Sequence, residues 1–169
     1  MKLTPQEFYR TYKPYALKCQ EETGLSYLAT LTQAALESGW GQYMSGDNNL
    51  FGIKDTDGVN GNETLVTTTE VMNTPNAKFP FIISVSSYGT KWLYKIKDYF
   101  RKYDSIDKGF KDHADFFVKN SRYSLAWSYR TSPELFLKLV ADAGYATSPT
   151  YKQDLLSTLK WFVNYSKLV

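Results

Sequence analysis

The chain has 169 residues, 43% of them hydrophobic and 22% charged. That length and balance suit a folded domain with a real core and exclude a disordered or fibrous chain. Its net charge of +3, from 20 basic against 17 acidic side chains, is too slight for the basic stripe of a nucleic-acid binder. No nucleic-acid partner is expected, and a mildly polyanionic partner is compatible.

The single Cys19 excludes an intrachain disulfide and a multi-cysteine metal site. The single His113 leaves no multi-histidine site and no serine–histidine triad with a spare partner. No metal and no cofactor are expected. The start, "MKLTPQEFYR", reaches charge before any apolar stretch, so no N-terminal export signal is read and any secretion must use another route. No apolar run approaches the length of a membrane span, which about 18 residues would need, so no membrane partner is expected. Aromatic content is high at 17%, with 14 Tyr. This suits either a groove for a polar ligand such as sugar or a Tyr-rich packing style, and composition alone leaves both open.

Along the chain, "TPQEFYRTYKPYALKCQEETG" predicts a first helix. Thr4 is placed as N-cap, Pro5 as N1, Glu7 completes a capping box and Gly24 is the stop. Pro14 inside it is expected to kink or split it. "LSYLATLTQAALES" predicts a second helix with Ser26 as cap, a broad apolar face including Leu28, Leu31 and Ala35, and a stop at Gly39 and Gly41.

From about Asn48 to Tyr103 helical periodicity fades. A turn-rich loop leads to a β-branched strand from about Thr64 to Met72, and two further extended runs flank Tyr88-Gly89. In the later run Trp92, Tyr94, Ile96 and Phe100 alternate with Lys95, Lys97 and Arg101, which is strand periodicity. Helices resume with "SIDKGFKDHADFFVKN", with "SPELFLKLVADAG", and with a last run carrying Leu155, Leu159, Phe162 and Val163 on one face. The expected fold class is α+β. One domain over residues 1–169 has a mostly helical body and a small antiparallel β-lobe at about 54–103 that forms one wall of a cleft.

The chemistry concentrates in "LTQAALESGWGQYMSGDNNLFGIK". Glu37 stands in the last turn of an apolar helix, where partial burial and the negative end of the helix dipole both raise a carboxyl pKa. A carboxylic acid still protonated near neutral pH is what glycoside cleavage needs. Gly39 and Gly41 would admit a polymer, and Trp40 offers a flat face to a sugar ring. On the residues alone the commoner reading is that Glu37 is a solvated helix-end acid with Gly39 as C-cap, and the choice stays open.

"AALESGWG" followed by "NNLFGIK" resembles the signature of the bacterial N-acetylglucosaminidases of glycoside hydrolase family 73, which include the flagellar peptidoglycan hydrolase and many autolysins. The likeness continues through "TTTEVMN", "YFRKYDS", "GFKDHADFF", "NSRY" and "AGYATSPTY", in the family's order, over about residues 4–165. It implies a lysozyme-like helical body with a β-lobe. It also implies cleavage of the β-1,4 bond after N-acetylglucosamine in peptidoglycan strands, by a monomer at the cell wall, outside the cell or in the periplasm.

Carried over, the resemblance makes Glu37 the general acid and Glu70 of "TTTE" the second carboxylate, activating water across the cleft. It places Tyr145 of "GYAT" beside the scissile bond. Tyr123 of "NSRY" is a substrate-contact candidate, and Trp40, Asn49, Phe51 and Trp127 are candidate groove residues, each with packing as the competing role. Should a second carboxylate be dispensable, the substrate's own acetamido group would serve as nucleophile.

Two departures stand out. Ser148 occupies the place of the acid in the family's "GYATDP", with a helix-capping role retained, and residues 74–98 are longer and richer in aromatics than in shorter members, which predicts an enlarged lobe. Two rival functions share these residues, a muramidase or lytic transglycosylase and a catalytically silent wall-binding module. "DTDGVNGNE" is not a calcium loop, because Val59 and Asn60 stand where Asp or Asn and then Gly are required. His113, on a helix beside Asp112, reads as a structural histidine.

Overall fold

A computed structural model describes residues 2–169. Helix α1 (Pro5–Thr23) begins where the sequence places it. Thr4 Oγ1 accepts from the Glu7 amide at 3.2 Å, Glu7 Oε2 accepts from the Thr4 amide at 2.8 Å, and Gly24 closes the helix in the left-handed conformation. Pro14 does not split α1. It lies on the exposed face, as does Arg10, so the carbonyl that loses its partner meets water.

Helix α2 (Tyr27–Glu37) is buried on every side from Ala29 to Ala35, and it lies against α1, α5 and α6. Ala29, Ala34 and Ala35 are small enough for the surrounding helices to approach closely. Ser26 precedes it without a side-chain capping bond, so its start rests on packing.

Strands β1 (Glu63–Met72), β2 (Phe81–Tyr88) and β3 (Lys91–Arg101) form an antiparallel sheet in the order β1-β3-β2. Glu70 pairs with Tyr94, Thr68 with Ile96, Val66 with Asp98 and Thr64 with Phe100. Because paired residues share a face, this register collects Glu70 and Asp98 with the buried Tyr94, Ile96 and Phe100 on the inner face. The Tyr94 hydroxyl donates to the Thr74 carbonyl at 3.0 Å and accepts from the Ala77 amide at 3.1 Å, folding the connection to β2 over the sheet. Ahead of β1, Lys54 forms an isolated antiparallel bridge with Phe100.

Helix α3 (Ile106–Lys119) carries Phe110, His113, Ala114 and Phe117 on its buried face. A short 3-10 turn (Ser121–Tyr123) and helix α4 (Ser124–Ser128) follow. They stand in a stretch that gives no helical reading because it is too short and polar to show a period. Helices α5 (Pro133–Asp142) and α6 (Tyr151–Ser166) complete the body. Ser148 sits two residues before Thr150, the N-cap of α6, and accepts from the Thr150 amide at 3.4 Å; it orders the turn into the helix and is not the cap itself. Among the described residues no helix is long and apolar enough to cross a membrane.

Body and lobe join where the segment after α2 meets the end of β3. The Arg101 amide donates to the Ile53 carbonyl at 3.0 Å, the Asp55 amide to Tyr99 at 2.9 Å and the Tyr103 amide to Asp47 at 2.8 Å. Gly46 and Gly109 permit this approach. A Cβ on Gly46 would lie 2.5 Å from the Arg101 carbonyl oxygen, and one on Gly109 would lie 2.6 Å from that of Asn48.

Candidate active site

A cleft of about 580 Å³ opens between the helical body and the base of the lobe, lined among others by Glu37, Phe51, Lys54, Arg101 and Tyr145. That volume falls in the range of small-ligand sites, roughly 300–1,000 Å³. Glu37 reaches it from the last residue of α2. Burial raises its carboxyl from the usual 4.5 to about 6, against the opposing effect of a 2.9 Å hydrogen bond donated by the Tyr151 hydroxyl to Oε1. A carboxyl with that titration, open to a cleft on one side and backed by a dry helix on the other, can hand a proton to a poor leaving group.

Tyr145 stands on the same cleft wall. Its ring stacks on Tyr151 at 5.8 Å and on Phe117 at 6.0 Å. Burial first, and then the charge of Glu37, raise its phenol well above the usual range, so it remains a neutral hydroxyl beside the acid.

The lobe side is organised by cations. Lys54 Nζ lies 2.9 Å from Asp98 and 3.3 Å from Glu70, joining both inner-face carboxylates to the cleft wall. Arg101 Nη1 lies 2.9 and 2.7 Å from the two Asp112 oxygens, with Asp57 at 3.5 Å from Nη2 and Asp55 at 3.7 Å from Nε. The Tyr103 hydroxyl also donates to Asp112 at 2.6 Å. The acids of the 55–57 loop thus surround a guanidinium. Among the described residues no group of three His, Cys, Asp or Glu side chains is placed to hold a metal ion.

Of the residues singled out in the sequence, Glu37, Phe51 and Tyr145 come together on this cleft. Glu70 reaches it only through Lys54.

Asn49 is not a groove residue. It is fully buried, donating to the Ile53 and Arg101 carbonyls at 2.9 Å each and accepting from the Ile53 amide, so its amide knots the loop and leaves nothing for a sugar. Trp40 packs into the aromatic core against Phe8, Trp161 and Phe162 and does not line the cleft. It occupies a left-handed φ of 61°, a strained choice for a tryptophan that this packing holds in place. Tyr123 is buried beneath Tyr145, Phe116 and Phe117. Trp127 is covered on one side by Arg130 at 5.2 Å. Both sit in the body's packing, away from the cleft lining.

Tyr151, Lys54 and Asp98 escaped the sequence reading. Tyr151 had a signal: it extends the Leu155, Leu159, Phe162 stripe back by one turn at helical spacing. The partnership of Lys54 with Asp98 and Glu70 depends on the β1–β3 register, which no local pattern reveals.

A family profile described as glucosaminidase, mannosyl-glycoprotein endo-beta-N-acetylglucosaminidase, matches residues 13–162. The peptidoglycan hydrolase FlgJ of Vibrio parahaemolyticus is 33% identical over 159 residues, covering 90% of this chain and 46% of its own length. The chain therefore spans under half of that relative. The structure of the glycoside hydrolase domain of Salmonella typhimurium FlgJ superposes with a TM-score of 0.71 at 27% identity, covering 98% of this chain and 92% of that one. The catalytic domain of the autolysin Auto from Listeria monocytogenes superposes at 0.68 with 25% identity, covering 96% of this chain and 88% of the other.

Proposed function

The chain belongs to the glucosaminidase family, and from that premise we propose that it is an endo-β-N-acetylglucosaminidase cutting the β-1,4 bond after N-acetylglucosamine in bacterial peptidoglycan. The observation that carries the reading is Glu37: a carboxyl raised to about 6 by burial, at the end of a dry helix, opening on the cleft. In this reading Glu37 protonates the glycosidic oxygen as the bond breaks. Tyr145, a neutral phenol on the same wall, orients the substrate's N-acetyl group or polarises the attacking water. Glu70 is the second carboxylate, held to the cleft through Lys54. Residues 1–169 act as one catalytic domain, as a monomer, on glycan strands at the cell wall, outside the cell or in the periplasm.

The test is digestion of purified peptidoglycan by wild type and Glu37→Gln, with the reduced muropeptides identified by mass spectrometry. N-acetylglucosamine at the new reducing ends is expected from wild type, with a rate loss of about 10²–10⁴ in the variant, the usual contribution of a general acid. The wild-type rate should also decline as pH rises through about 6, where Glu37 gives up its proton. Muramic acid or anhydro ends would move the enzyme to the muramidase or transglycosylase class. No cleavage of several wall types by either protein would leave a binding module.

A further inference from the structure

Behind Glu37 runs a line of buried polar groups. The Tyr151 hydroxyl touches Glu37 Oε1 at 2.9 Å. Gln33 Nε2 lies 3.3 Å from that same hydroxyl. Gln33 Oε1 lies 3.1 Å from His113 Nε2. Gln33 and His113 are fully buried and Tyr151 nearly so. His113 is clamped by a 3.8 Å stack on Phe51 and an edge contact with Phe117 at 4.9 Å, and its Nδ1 has no hydrogen-bond partner among the described residues. α2 supplies Gln33 and Glu37 one turn apart, α6 supplies Tyr151 and α3 supplies His113, so three helices converge on one chain of contacts.

Hydrogen-bond chemistry gives this chain a direction. An amide oxygen only accepts, so His113 must carry its proton on Nε2 and donate to Gln33 Oε1. The Gln33 amide nitrogen only donates, so the Tyr151 oxygen accepts from it and turns its own proton toward Glu37. The opposite order would leave a buried Nδ1–H without an acceptor, a costlier fault than an unpartnered ring lone pair. Burial holds the His113 imidazole down at about 3, so it stays neutral and keeps a single proton at any pH where the protein works.

We propose that His113, Gln33 and Tyr151 form a one-way hydrogen-bond chain that grips Glu37 by Oε1 and leaves its acid proton on Oε2, the oxygen free for the substrate. The proposal rests on Glu37 as the general acid. His113, Gln33 and Tyr151 are positioning residues in it. A hydroxyl locked as donor to Oε1 makes that oxygen the poorer site for a proton, so the proton that must leave is stored where it can leave. The same donor stabilises the carboxylate produced by the transfer. The other titratable groups facing Glu37 are Tyr145, from the loop after α5, and around the cleft Lys54, Arg101 of β3, and Asp112 and Lys119 of α3. None of them is hydrogen-bonded to it among the described residues.

The experiment reads the titration of the Glu37 carboxyl by ¹³C NMR alongside the pH profile of glycan cleavage. Tyr151→Phe should raise the titration by about one pH unit, as expected for losing a hydrogen bond to the charged form, and should slow the maximal rate about tenfold. Gln33→Leu and His113→Phe should shift it in the same direction by less, because each frees the Tyr151 hydroxyl to turn away. His113→Phe added to Tyr151→Phe should shift it no further.

A merely structural role for His113 would lower the melting temperature and leave the titration where it is, and that result overturns the proposal. Should His113→Phe not fold, the ¹⁵N spectrum of the wild-type protein decides: a proton on Nε2 is required, and a proton on Nδ1 overturns the chain. The titration needs no activity. A wild type that cleaves nothing would therefore remove the enzymatic reading without touching this test.

Discussion

The helical body and the β-lobe draw on the same aromatic-rich composition and spend it in opposite ways. In the body Phe8, Tyr9, Phe110, Phe136 and Phe162 are wholly or almost wholly buried around α2, each aromatic in contact with others. In the lobe every residue of β2 is exposed, with Phe81 50%, Ile83 50% and Tyr88 59% accessible. The inner face of the sheet buries Tyr94, Ile96 and Phe100 in a small cluster of its own, apart from the body's core. Each region then handles its carboxylates in its own way. The body changes Glu37 by drying it, whereas the lobe holds Glu70 and Asp98 by pairing them with Lys54. Desolvation of Glu37 comes from the body packed behind it, with only the cleft side open, while an ion pair requires only a cation within reach. Thus the raised carboxyl belongs to the body, and the paired carboxylates belong to the lobe.

That contrast can be broken most forcefully in the core. Phe162 touches Phe8, Tyr9, Trp40 and Trp161, so Phe162→Ala is expected to cost about 3–5 kcal/mol, the usual range for truncating a buried aromatic. Phe81→Ala on β2, removing the same groups from an exposed strand, should stay within about 0.5 kcal/mol. Urea denaturation of the two variants checks both, and similar losses would mean that the lobe is packed by something other than its own residues.

The joint is the next test. Arg101→Met strips Asp112 of its bidentate partner and leaves the Asp55 and Asp57 carboxylates facing one another, an expected loss of about 2–3 kcal/mol. Hydrogen exchange should quicken for β1 and β3 amides while those of α2 keep their protection. Uniform loosening would show that lobe and body unfold together.

Where the sequence made the fold legible, it did so through local physics. The capping box of Thr4 and Glu7, the left-handed stop at Gly24, the alternation of β3 and the stripe of α6 each depend on residues a few positions apart. Pro14 misled because its effect depends on which face of α1 it occupies, and that face is fixed by the rest of the body. At the candidate site, the motifs pick out Glu37, Phe51 and Tyr145, and the fold sets all three along one cleft. Asn49 was not legible, because an asparagine beside a glycine-rich turn looks the same whether it binds a sugar or ties its own loop. The Lys54–Asp98 pair and the His113–Gln33–Tyr151 chain were beyond a linear reading: they join residues that only the sheet register and three converging helices bring together.

The gentlest of the expected effects separates body from lobe at the level of a single proton. Glu37 titrates at about 6 when folded against 4.5 as its ordinary value, so between those two pH values the folded protein binds more protons than the unfolded chain. Stability must then fall as pH rises through that window, and the cost is complete above about 6. A displacement of that size is worth roughly 2 kcal/mol. Glu37→Gln keeps a side-chain oxygen to accept from Tyr151 and has no charge to bury, so at pH 7 it should be more stable than wild type by about that amount. At pH 4 the two should be indistinguishable. Denaturation midpoints at both pH values decide it. An equal stability at pH 7 would mean that water reaches Glu37 freely and that the cleft, not the helix behind it, sets the acid. Glu70→Gln makes the control from the lobe, where removing one partner of a half-exposed ion pair is worth about 0–1 kcal/mol of stability lost at pH 7. The two substitutions therefore differ in sign: the body is strained by the acid it holds, and the lobe is slightly steadied by its own.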